Sequence, residues 1–167
     1  MVFSRGIVTL AGLLVAVGSV ALFAQGRSEA PTTAATSACA ATPPAELTAR
    51  PAMWLGPCAG GRAEQLGVLR LGRTAPHQFF LGRMRAGKPV QGVLVLNASQ
   101  LKDAVRFDAR MNAVNSDPNR QGEIESVFRV ASSAAAATAR RFEVLRNPGS
   151  ARFYRDMAVR YREPPFE

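Results

Sequence analysis

Histidine, lysine and cysteine are scarce in this sequence, and each shortage excludes a class of chemistry. One histidine, His77, and two cysteines, Cys39 and Cys58, are too few for an ordinary zinc site. His77 follows Pro76 with no serine or cysteine nucleophile motif beside it and reads as a surface loop residue. Hydrolase, metalloprotease, nucleotide and dinucleotide motifs are missing. The nearest carboxylate pairs, Asp103 with Asp108 and Glu123 with Glu125, have no neighbours arranged to perturb them and read as solvated charge. No enzymatic activity, cofactor or metal is therefore expected. Lysine occurs only at Lys88 and Lys102, so the net charge of +9 is carried by arginine. That charge is dispersed: residues 27–100 hold eight basic and three acidic groups, and residues 101–167 hold twelve and nine. Without a basic stripe or interleaved aromatics, nucleic acid is not an expected partner. A mild preference for anionic surfaces is.

One long uncharged run does occur, from Gly6 to Ala24, preceded by Arg5 and followed by Arg27. A short positive start, an apolar stretch and the small residues around Ala24-Gln25-Gly26 form a Sec-type signal peptide over residues 1–26. The run is also long enough to stay as an uncleaved anchor, with membrane contact through residues 6–24. Either way residues after Arg27 are exported, to the periplasm or the outer face of the inner membrane. Cys39 lies too far beyond the run to carry a lipid. Residues 27–49 are rich in Ala, Thr and Pro and are expected to form a flexible leader. In an oxidising compartment Cys39 and Cys58 are expected to form a disulfide tying that leader to the domain. The length suits one domain with a modest core.

The informative pattern is a repeat. Trp54, Gly56, Cys58 and Gly61 recur 26 residues later as Phe80, Gly82, Met84 and Gly87. Each block leads to a glycine and an apolar run, at Gly67 and Gly92. A weaker third copy begins at Phe107 and includes Met111. There Val105, Phe107, Ala109 and Met111 alternate with polar residues, as a half-buried strand would. Ring, glycine and Cys/Met at i, i+2 and i+4 share one strand face, and the glycine leaves space for a ring from a neighbouring unit. Gly61 and Gly87 suit chain reversals. At these residues the sequence resembles the MORN repeat family, whose unit is an aromatic-glycine β-hairpin stacked on its neighbours. It departs from that pattern at Gln65, at Val90 and at Ala109. The resemblance covers residues 50–112 and implies a protein- or membrane-binding scaffold.

Beyond residue 117 the period becomes helical. Asp117 and Pro118 suit a helix start, and Ile124, Val127, Phe128, Ala131, Ala135, Thr138, Phe142 and Leu145 form one apolar stripe. Asn147-Pro148-Gly149 stops it. Ser150 then caps a second helix, with Phe153, Tyr154, Met157, Ala158 and Tyr161 facing inward. The ridge Ala131, Ala135, Ala139 is expected to pack on the protein's own sheet, and Arg140-Arg141 to be solvated. The expected architecture is α+β: a small antiparallel sheet of stacked hairpins, covered by two helices in residues 117–162. One surface stands out, a basic patch of Arg70, Arg73, Arg83, Arg85 and Lys88 for an anionic envelope surface or protein partner. The expected role is a non-enzymatic binding module of the cell envelope. The alternative is a membrane-tethered structural subunit that docks through its N-terminal helix.

Overall fold

The structure, a computed structural model, describes residues 39–165 except residue 121. The proposed signal or anchor segment lies outside the described residues. The fold is α+β: a five-stranded antiparallel sheet followed by two helices. The strands are β1 (Ala52–Trp54), β2 (Cys58–Ala59), β3 (Arg62–Ala63), β4 (Gln65–Leu71), β5 (Gln78–Arg85), β6 (Lys88–Val95), β7 (Leu101–Ala104), β8 (Arg106–Phe107) and β9 (Ala113–Val114). The helices are α1 (Glu123–Val144) and α2 (Pro148–Arg160). The main sheet runs β1-β4-β5-β6-β7, while β2-β3 and β8-β9 form small ribbons. Among the described residues no helix is long and apolar enough to cross a membrane.

Strands β4 to β6 read as nearly unbroken apolar runs because both faces of the sheet are covered. On one face Val68, Phe79, Leu81, Val93 and Val95 pack against Val127, Phe128, Ala131, Ala135 and Ala139 of α1 and Tyr154 and Met157 of α2. The alanine ridge thus meets the protein's own sheet; side chains of one carbon let α1 lie close to it. On the other face Trp54, Leu69, Leu71, Phe80, Met84 and Leu94 enclose Leu47, Ala63 and Ala113.

The repeated glycines fall into one row across this second face: Gly67 opposes Gly82, Gly82 opposes Gly92, and Gly92 opposes Ala104. Rings lie in the trough the row creates. A Cβ on Gly56 or Gly67 would come within 2.5 or 2.7 Å of the Trp54 ring, and one on Gly82 or Gly92 within 2.5 or 2.8 Å of the Phe80 ring. The space is therefore filled by each unit's own ring, not by a neighbour's. Trp54 and Phe80 sit one row away, opposite Leu69 and Leu94 respectively, so their rings need only lean along the strand to cover the glycines. Gly60 and Gly61 (φ 54° and 73°) turn the β2-β3 ribbon, and Ala86 and Gly87 (φ 48° and 79°) turn β5 into β6. Strand β1 ends at Trp54 and Cys58 begins a separate ribbon whose first strand is exposed, so the first unit is not one continuous strand.

Three expectations need correction. The flexible leader to residue 49 does not hold over its last part, because residues 39–49 cover the sheet face opposite the helices. Pro44 and Leu47 are fully buried, and Thr48 and Ala49 N–H groups donate to Gln78 Oε1 at 2.9 and 3.0 Å. Residue 40 is bonded to Gly61 and Ala63, and Thr42 to Gly87, so the segment ties both repeat turns together. Cys39 and Cys58 form a disulfide, with Cα atoms 5.9 Å apart. Glu46 anchors the same segment, accepting from Lys102 at 2.6 Å and from Ala113 N–H at 2.9 Å. Average composition hid one leucine that a two-sided sheet needs.

The third unit is the second correction. Its alternation stops at Phe107, where the Asp108 carboxylate accepts from the N–H groups of Arg110 and Asn112, each at 2.8 Å, and reverses the chain. Met111 sits at φ 66° in that turn, and β9 pairs back on β8. Phe107 still reaches the core, edge-on to Phe80 with ring centroids 5.7 Å apart. The third correction concerns the helix starts. Asp117 spends its carboxylate on Asn119 N–H in a turn, and α1 begins only after Gly122. Asn147, not Ser150, caps α2 by accepting from Ser150 N–H. Phe153 is 47% exposed and Leu145 62%, so neither joins the core.

Candidate anion-binding cleft

The first repeat unit builds a site through its tryptophan. The Trp54 ring lies against Gly56, and its Nε1–H donates to the Pro57 carbonyl at 2.8 Å, which shapes the loop after β1. The loop presents the Gly56 carbonyl to α1, where the Arg141 guanidinium donates to it at 2.6 Å. Arg140 and Arg141 stand in the last two turns of α1, where the helix dipole favours cations. Arg83 leaves β5 on the same side of the sheet as α1, since it lies two residues from Leu81 of the helix-facing core. Together these groups line a cleft of 620 Å³, floored by Leu55, Leu66 and Ala137.

No carboxylate lines this cleft, and among the described residues none of Arg83, Arg140 and Arg141 forms an ion pair. Guanidinium groups offer paired N–H donors matched to carboxylate and phosphate oxygens. The arrangement suits an anionic group on an apolar stem, with Arg141 held in place by the Gly56 carbonyl.

The expected five-residue basic patch does not form. Arg83, Arg85 and Lys88 do gather at one end of the sheet, with Arg85 opposite Lys88 across the β5–β6 turn. Arg70 opposes Phe79, and Leu66, four residues back along β4, opposes Arg83. At ~3.3 Å per residue that places Arg70 roughly 13 Å from the Arg83 row, with Arg73 farther out in the loop beyond β4. Antiparallel pairing sets the end of β4 beside the start of β5, and Arg83 and Arg85 are at its finish. The groups that do join Arg83 are Arg140 and Arg141, which the sequence presents as a solvated pair. Their only signal there was position: the same side of α1 as Ala137, near the end of a helix whose alanines meet the sheet.

His77 is likewise not the free surface residue its loop suggests. Its ring meets Phe79 edge-on at 6.0 Å, and its Nδ1 is buried. Asn97-Ala98-Ser99 is a turn between β6 and β7, as expected, with Asn97 Oδ1 accepting from Ser99 N–H at 3.0 Å. Comparison with protein-family models, curated proteins and solved structures finds no match for this chain.

Proposed function

We propose that the protein is an exported, non-enzymatic binding module of the cell envelope that grips an anionic group through the Arg83–Arg140–Arg141 cleft. The group is presented by a protein partner or by the envelope surface. The observation that carries this reading is the convergence of three guanidinium groups, none ion-paired among the described residues, on a cleft whose lining contains no acid. Three like charges facing one cleft repel one another, and an anion bound among them relieves that repulsion. The apparent export segment and the resemblance of residues 50–112 to MORN repeats agree with a scaffold role outside the cytoplasm.

The test is co-sedimentation of the purified protein with vesicles containing phosphatidylglycerol, run beside affinity capture from envelope extracts. The double variant Arg83→Glu with Arg140→Glu changes two exposed residues and leaves Arg141 on its carbonyl. Its circular dichroism should match the parent while binding is lost in whichever arm showed it. Arg73→Glu with Arg110→Glu, two exposed residues outside the cleft lining, is the matched charge control. Equal loss in both variants would mean that only overall charge is being read, and the cleft would lose its role.

A further inference from the structure

Two of the three buried side-chain atoms that lack a hydrogen-bond partner among the described residues stand in one place: Arg70 Nε and His77 Nδ1. Both residues line a cavity of 260 Å³ between the end of β4 and the start of α2. The Arg70 guanidinium has one other contact of hydrogen-bonding type, from Nη2 to the Met53 sulfur at 3.8 Å, which is weak. A buried donor without an acceptor costs stability and is uncommon in native structures. No carboxylate lines this cavity, so the Arg70 guanidinium stands there without a fixed anion.

The surroundings define what that is. Ser150 lines the same cavity, and the first turn of α2 contains no acidic residue, so the positive end of the helix faces no fixed anion of its own. Across His77, Phe79 and Phe153 the cavity adjoins a second one of 360 Å³, walled by Val95, Met157 and Tyr161. This second chamber has the more apolar lining of the two. Phe153 shows why it is open: it is 47% exposed although its ring touches Phe79 and Tyr154, with centroids 6.0 and 5.1 Å away. Asp156 and Arg160 at the distal rim bring one charge of each sign.

The geometry points to a small-molecule site, separate from the Arg83 cleft, for a monoanion with an apolar or aromatic body. The Arg70 guanidinium donates to the anionic head beside the amino end of α2, and His77 stands where the two chambers adjoin. Phe79, Phe153 and Met157 hold the body. The volume of the larger chamber falls within the range of ordinary ligand pockets.

Phenylbutyrate serves as the probe and phenylbutyramide as its neutral counterpart, both titrated into the isotopically labelled protein and followed by amide NMR. Saturable shifts are expected at residues 70, 77, 79, 153 and 157, with the amide binding at least about tenfold more weakly because it lacks the charge-assisted contact. Arg70→Met should weaken the acid by a similar factor while leaving the melting temperature unchanged or higher, since an unpaired buried donor is removed. Phe153→Ala changes an exposed ring, should fold normally, and should also weaken binding. The Arg83→Glu/Arg140→Glu protein should bind the probe as the parent does, which separates this site from the cleft. Equal binding of acid and amide, shifts centred on the cleft, or no saturation at millimolar probe would each overturn the assignment. Should Arg70→Met fail to fold, the acid–amide comparison in the parent protein still decides.

Discussion

Replacing Gly56 with alanine is the sharpest probe of how the repeat is built. The new Cβ would lie 2.5 Å from Cζ2 and 2.7 Å from Cε2 of Trp54. That is roughly 1 Å inside an ordinary carbon–carbon contact. The ring has little room to yield, because Trp54 is only 7% exposed and its Nε1 is tied to the Pro57 carbonyl. The overlap should cost about 2–3 kcal/mol, the upper part of the range for overpacking. Gly56 is not in the left-handed region, so alanine carries no conformational penalty there. In a Trp54→Leu background the clash disappears, and the same substitution should become neutral or stabilising by about 0.4–1 kcal/mol, through loss of unfolded-state freedom. The sign of the effect therefore depends on the ring, with a coupling of about 3 kcal/mol across the double-mutant cycle. Urea unfolding followed by far-UV circular dichroism measures it without relying on tryptophan emission. An equal cost of Gly56→Ala in both backgrounds would show that the ring does not occupy the space above the glycine.

The disulfide and the buried tyrosine give two further expectations. Cys39→Ala with Cys58→Ala opens a loop with a sequence separation of 19 and should lower stability by about 3 kcal/mol through loop-closure entropy. Hydrogen exchange should quicken at residues 40–47 while α1 keeps its protection; unaltered exchange there would mean that Leu47 alone holds the segment. Burial pushes the Tyr154 phenol up to about 12, against a smaller opposing pull from Arg70. The neutral form is then favoured in the folded state, so this contribution is intact below pH 10 and is lost as pH rises from about 10 toward 12. In a Tyr161→Phe protein the remaining tyrosinate absorbance should appear near that upper value, and a titration near 10 would contradict the burial.

Some of this architecture was written in local chemistry. The change of period after residue 117 separates sheet from helices, because alternation and helical spacing depend only on which neighbours share a face. Gly60-Gly61 and Gly87 mark turns because their backbones adopt positive φ without a side-chain penalty. An even cysteine count in an apparently exported chain pointed to the Cys39–Cys58 bridge. Local signals failed where polar side chains competed. The carboxylates of Asp108 and Asp117 each formed a turn, where alternation implied a continuing strand and the Asp-Pro pair implied a helix start.

What no local pattern contained is which groups meet across the fold. Leu47 is one leucine in an Ala/Thr/Pro-rich stretch, and only a sheet with two faces to cover gives it a place in the core. Arg70 and Arg83 looked like partners in sequence, yet antiparallel register sends them to opposite ends of β4 and β5. Arg83 instead lines one cleft with Arg140 and Arg141 from α1, and Arg70 lines another with His77. The sequence alone determined the order of sheet then helices, the turns at Gly61 and Gly87, and the bridge, since these depend on residues close along the chain or on cysteine pairing. Strand register and helix placement decided the two sites, because a cleft is made by side chains distant in sequence whose proximity is set by the packing of everything between them.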